Sequence, residues 1–258
     1  MKTIIIPHEC AWEYESPPEL LKDILKMSLV SKSNRVRKLY LSQNICTTQI
    51  EMLEPYLCVE SSSMTPYGGL HEIEVYSIGK QSRKVKHNLK RSTSGDNLLQ
   101  MLTTLIRNQK QLSKVRLQGK FPATSSCDAL MVALADLVSK PSVEEVNLVG
   151  EEGSEVNLGP FSQLLVSYLF SPATNEQQLI LHGFKFSKSM TRSQLPLGEY
   201  SVIEGQNKKS LVLSWLDVSP LVPQLLQVPP VVLKCVELSS SLTLSTGVAY
   251  IILLVIMT

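Results

Sequence analysis

Catalysis leaves recognisable residue groupings, and this chain carries none of the common ones. It has no Gly-x-Gly-x-x-Gly turn or P-loop to cradle phosphates and no His-Glu-x-x-His or Cys-x-x-Cys metal spacing. It also has no Gly-x-Ser-x-Gly nucleophile elbow. His8 and Cys10 stand two residues apart, but no second ligand pair lies near them in sequence, so they read as a surface pair and not as half a zinc site. His182 reads as a packed or surface histidine and not as a general base. The residues therefore point to no catalytic group, no metal, no cofactor and no small-molecule substrate. A non-enzymatic protein is expected.

The polar chemistry lies in short, spaced groups. They are Lys38, Tyr40, Ser42; Glu72, Glu74, Tyr76; Lys114, Arg116, Gln118; Glu145, Asn147, Val149; and Gln178, Ile180, His182. Within each group the members are two residues apart, so on a strand they share one face. The sign of charge runs basic, acidic, basic, acidic from group to group. Neighbouring strands could pair these opposite charges, at ~0.2–1 kcal/mol each. The same residues could also form a mixed-charge docking surface for a protein, with the tyrosines as anchors. The two readings are compatible. A nucleic-acid groove of single sign is disfavoured.

The elements that must position these groups are short strands. Val36–Asn44 reads Val-Arg-Lys-Leu-Tyr-Leu-Ser-Gln-Asn, with Leu39 and Leu41 on the face opposite Lys38 and Tyr40. The pattern returns at Leu70/Ile73/Val75, Leu112/Val115/Leu117, Val143/Val146/Leu148 and Leu233/Val236/Leu238, and more weakly at Leu179/Leu181 and Leu211/Leu213. From pair to pair the separations are 34, 42, 31, 33, 32 and 25 residues, a repeat signature. Helical spacing fills the intervals. It appears at Leu20–Leu29 after Pro18, at Ile50–Leu57 with Pro55 inside, and at Leu98–Ile106 with Asp96 as the expected N-cap. It appears again at Leu130–Val138, capped by Ser125 or Ser126 and ended by Pro141, and at Phe161–Leu169. Only a loose pattern follows in residues 188–206.

One helix and one strand per ~30 residues resembles the leucine-rich repeat family, in its ribonuclease-inhibitor-like and NOD-like-receptor class, whose consensus is Leu-x-x-Leu-x-Leu-x-x-Asn/Cys. Val36–Asn44 meets that consensus at every slot. In the other copies the Asn/Cys slot holds Ile78, Lys120, Glu151, Phe184, Leu216 and Ser241. The resemblance implies a curved α/β solenoid of about seven irregular repeats, with short parallel strands on the concave side and helices on the convex side. It implies protein docking on the concave face, through Lys38, Tyr40, Glu72, Glu74, Tyr76, Lys114, Arg116, Glu145, Asn147 and His182. Such a module could be the recognition part of an intracellular receptor or a ubiquitin-ligase adaptor. A doubly wound α/β domain is the structural rival. The strands alternate in polarity, which argues against its continuous apolar runs.

Residues 1–17 are expected to be an N-terminal cap or remnant, 18–241 the array, and 242–258 a tail. The 42-residue interval holds an insertion at 80–95 with Lys80, Arg83, Lys84, Lys86, Lys90 and Arg91 and no acid from Val75 to Gly95. A solvated loop is expected there, with nuclear import or an acidic partner as alternatives. Ser92, Thr93 and Ser94 follow Lys90-Arg91 and could be kinase targets. The 258-residue chain carries a net charge of only +2, which argues against general nucleic-acid binding. Five dispersed cysteines read as reduced thiols, and none of the nine asparagines is in a glycosylation site, so a cytoplasmic location is expected. From Ser239 to Thr258 no residue is charged. That stretch is read three ways: a tail anchor holding a membrane scaffold, the core of an unfinished unit, or an aberrant end.

Overall fold

The structure is a computed structural model and describes residues 2–6, 36–41, 69–79, 94–187, 208–214, 216, 221 and 235–238. The helices expected from Leu20 and from Ile50, the loose pattern of 188–206, the basic insertion with Lys80, Arg83, Lys84, Lys86, Lys90 and Arg91, and the apolar tail lie outside these residues. So does the His8/Cys10 pair. The chain divides into two compact units, 1–119 and 120–258.

In the first unit, β1 (Lys2–Ile6), β2 (Val36–Leu41), β3 (Glu72–Ile78) and β4 (Lys114–Gly119) form a parallel sheet in that order. The register sets Leu39 against Ile73 and Leu41 against Val75, then Ile73 against Val115 and Val75 against Leu117. These six side chains are at most 1% exposed. The paired apolar residues of the repeat are thus stacked side by side, each burying its neighbour's flank. β1 adds Ile4 beside Leu39 and Ile6 beside Leu41. This strand is not expected from the sequence, because Ile4-Ile5-Ile6 is an apolar run without alternation.

Helix α1 (Ser94–Asn108) buries Leu98, Leu99, Leu102, Leu105 and Ile106, the stripe expected from spacing. Asp96 is not its cap. It lies within the first turn, where a carboxylate favours the helix dipole. Gln109 follows the helix and is fully buried, and its Oε1 accepts the Leu70 amide at 2.9 Å, tying the end of α1 to the approach to β3.

In the second unit, β5 (Glu145–Gly150), β7 (Gln177–His182), β9 (Lys209–Ser214) and β10 (Cys235–Leu238) are parallel and adjacent in that order. β6 (Glu155–Val156) and β8 (Lys185–Phe186) make a separate parallel ribbon. Val146, Leu179 and Leu211 are in register, as are Leu148, Leu181 and Leu213, and β10 adds Val236 and Leu238. Helix α2 (Ser125–Val138) packs on α3 (Leu158–Leu169). The cap of α2 is Thr124, one residue before the serines expected, and its Oγ1 accepts the Cys127 amide at 3.4 Å. Asn157 before α3 donates to both carboxylate oxygens of Asp128, at 3.1 and 2.9 Å.

In neither unit does strand order reverse along the described residues, whereas a doubly wound sheet reverses at its switch point. The architecture is α/β with parallel sheet and helices. The Phe121 amide donates to Ser154 Oγ at 3.2 Å, and the Glu155 amide donates to Phe121 O at 2.9 Å. Phe121, Phe184, Phe161 and Phe186 then follow one another with ring centroids 5.2, 5.6 and 5.2 Å apart. Gly183, at φ +77°, lies against Gly150: a Cβ on Gly183 would stand 2.1 Å from Gly150 O.

Lys209 on β9 is fully buried. Its ammonium donates to the carbonyls of Tyr168 and Ser171 and, at 3.0 Å, to Ser171 Oγ, and it lies 5.1 Å from the Tyr168 ring centre. A cation at a helix C-terminus offsets the carbonyls that lack intrahelical donors. Burial pushes its pKa down to about 8.

Candidate functional site

Alternation puts the side chains between the buried pairs on the opposite face of each sheet. On β2, β3 and β4 these form cross-strand rows. Lys38, Glu72 and Lys114 are in register, and so are Tyr40, Glu74 and Arg116. Every neighbouring charged pair in these rows is therefore of opposite sign, as the sequence suggested.

Glu74 is the centre of the arrangement. Its Oε1 lies 3.0 Å from Lys38 Nζ and 3.2 Å from Arg116 Nη1. Lys38 Nζ also donates to Glu72 Oε1 at 3.1 Å. Tyr76 donates to Glu74 Oε2 at 3.5 Å, and its ring is tilted against Tyr40 with centroids 5.4 Å apart. Burial works to lower the pKa of Lys38, but the hydrogen bonds and charges of Glu74 and Glu72 outweigh it and the net shift is upward. Burial, with the charge of Glu74, pushes the Tyr76 phenol up. A carboxylate taken out of water is tolerated only when its oxygens are paired in this way.

The remaining expected surface residues belong to the second unit. Glu145 is in register with Gln178, Asn147 with Ile180 and Val212, and His182 with Ser214. His182 Nδ1 and Ser214 Oγ are hydrogen-bonded at 2.6 Å. This face carries half-buried Val149, Ile180 and Val212 between polar groups and differs from the charged lattice of the first unit.

Two features are not legible in the sequence: Glu74 is only 5% exposed, and Lys209 is a core residue. The available signal for Lys209 is its parity with Leu211 and Leu213, which places it on the buried face of β9. Among the described residues no cluster of His, Cys, Asp or Glu could hold a metal ion, and no helix is long and apolar enough to cross a membrane. Compared with known proteins, the chain matches no family model, no curated protein and no solved structure.

Proposed function

We propose that the chain is a degenerate leucine-rich repeat array that docks a protein partner on the half-exposed face of its sheet. The observation that carries this reading is the register. Each unit stacks the apolar pairs of successive sequence copies and leaves one row of polar and aromatic side chains per strand on the other face. Strand order that follows chain order supports stacking repeats over a doubly wound domain. Paired tyrosines among fixed charges favour recognition of a protein over a small molecule, since aromatic and arginine side chains dominate such interfaces. The docking residues proposed are Lys38, Tyr40, Glu72, Glu74, Tyr76, Lys114 and Arg116 in the first unit and Glu145, Asn147 and His182 in the second.

The test is quantitative affinity purification of the full chain from cells, comparing Lys114→Glu and Arg116→Glu with Lys110→Glu. Lys110 is an exposed residue of the loop before β4. The sheet-face variants are expected to lose partners that the loop variant retains. Identical partner sets for all three would remove the reading.

A further inference from the structure

Of the side chains proposed to dock a partner, Glu74 alone is buried, and the others are half-buried. It offers almost no surface, yet several of the others touch it. Its Oε1 lies 3.0 Å from Lys38 Nζ and 3.2 Å from Arg116 Nη1, and its Oε2 accepts from the Tyr76 hydroxyl at 3.5 Å. Stacking of the strands does not require a carboxylate at this slot. The residue between the two buried apolar side chains is Glu74 on β3, but Ile180 on β7 and Val212 on β9. An ion pair taken out of water is often no more stabilising than apolar residues of similar volume. Stability alone therefore gives little reason for the charge. The contacts that converge on it do.

We infer that Glu74 is a positioning residue of the docking face: it meets no partner itself and fixes the side chains of Lys38 and Tyr76, which do. This rests on the docking reading above and separates the residues that touch a partner from the one that holds them. Lys38 has a long, flexible stem, and its ammonium is held between Glu72 and Glu74 at 3.1 and 3.0 Å. It is thus ordered before a partner arrives. Binding then does not bear the entropy of immobilising it, a factor of roughly two to ten in affinity for each such side chain. Tyr76 is held by its hydroxyl on Glu74 and by its ring against Tyr40, with centroids 5.4 Å apart. Its apolar face is thereby kept in one orientation. Burial and the charge of Glu74 both raise the Tyr76 pKa, so the phenol keeps the proton that it donates. Glu72 cannot replace Glu74 in this role, since it contacts Lys38 but is not the acceptor of Tyr76.

The test applies two measurements to the full chain: quantitative affinity purification from cells, and near-ultraviolet circular dichroism of the tyrosines at neutral pH. The variants are Glu74→Gln, Tyr40→Ala, Tyr76→Ala and Ile73→Val. The last removes a methylene from the buried face of β3 and controls for lost stability. Tyr40→Ala and Tyr76→Ala are expected to lose a set of proteins that the parent recovers. Glu74→Gln is expected to recover about three- to tenfold less of that same set, while Ile73→Val recovers it as the parent does. The tyrosine band is expected to change in Glu74→Gln and to stay as in the parent in Ile73→Val. The inference is overturned if Glu74→Gln retains the proteins that the tyrosine variants lose, or if its tyrosine band matches the parent. It is equally overturned if Ile73→Val loses as much as Glu74→Gln, since the effect is then one of stability. In each of these outcomes the tyrosine variants have still lost their set, and the docking reading survives. If the tyrosine variants retain every protein, docking itself fails and the inference falls with it.

Discussion

Glu74 accepts from Arg116 at 3.2 Å across the β3–β4 pair while being 5% exposed, on a sheet face that alternation directs toward solvent. Burial there comes from its own partners, which cover it. Removing the carboxylate therefore takes away the group that Lys38 and Arg116 share, and leaves Tyr76 without this acceptor. Glu74→Ala is expected to lower stability by ~1–3 kcal/mol, and Glu74→Gln by less, since the amide keeps the volume and one acceptor. Urea unfolding at low and moderate salt measures both. A loss under ~0.5 kcal/mol for the alanine variant would place the pair in the weak class of surface salt bridges.

Leu39 tests the repeat register directly. It is 1% exposed and stands between Ile4 and Ile73. Leu39→Asp sets a carboxylate in that row without a partner, and a loss of at least ~3 kcal/mol is expected. Lys38→Gln, one residue away on the other face, should cost clearly less. Equal melting temperatures for Leu39→Asp and the parent would contradict the alternation on which both faces depend.

Gly183, just after β7, and Gly150, the last residue of β5, approach backbone to backbone. Gly183→Ala adds a Cβ both at φ +77° and 2.1 Å from Gly150 O, and Gly150→Ala brings one within 2.5 Å of Gly183 O. Left-handed strain alone costs ~1–2 kcal/mol, and the contact with backbone cannot be relieved by a rotamer change. Each variant is expected to lose at least ~2 kcal/mol in urea unfolding. Gly153→Ala, where the near neighbour is the flexible end of Lys120, is expected to lose less.

Lys209 makes a prediction about pH. Burial lowers its folded pKa from 10.5 to about 8, so between those values the unfolded chain holds a proton that the folded chain has released. Stability is then expected to rise with pH across that window. Tyr168, whose phenol burial pushes upward from 10.0, begins to oppose the trend only above pH 10. The urea midpoint should climb between pH 8 and 10 for the parent and stay flat for Lys209→Met. A parallel climb in the variant would assign the effect to other groups.

Periodicity by itself determined β2, β3, β4, β5, β7, β9 and β10, the buried apolar pairs of the first six, three of the helices and the opposite signs of neighbouring rows; the two-residue β6 and β8 are too short to show a period. Those features depend on residues two, three or four apart, and the stacking of like units carries them into register. β1 escaped because three consecutive isoleucines show no alternation to read. Only the tertiary structure decided the depth of each charge. Glu74 and Arg116 are both outward by parity, yet one side chain is 6% exposed and the other 42%. Their exposure depends on Lys38 and Tyr76 as well, and so on contacts spanning up to 42 residues. The same holds for Lys209, an exposed residue by type, which burial among the carbonyls ending α3 makes part of the core. Local pattern determines which face a side chain takes; packing of distant segments determines what covers it.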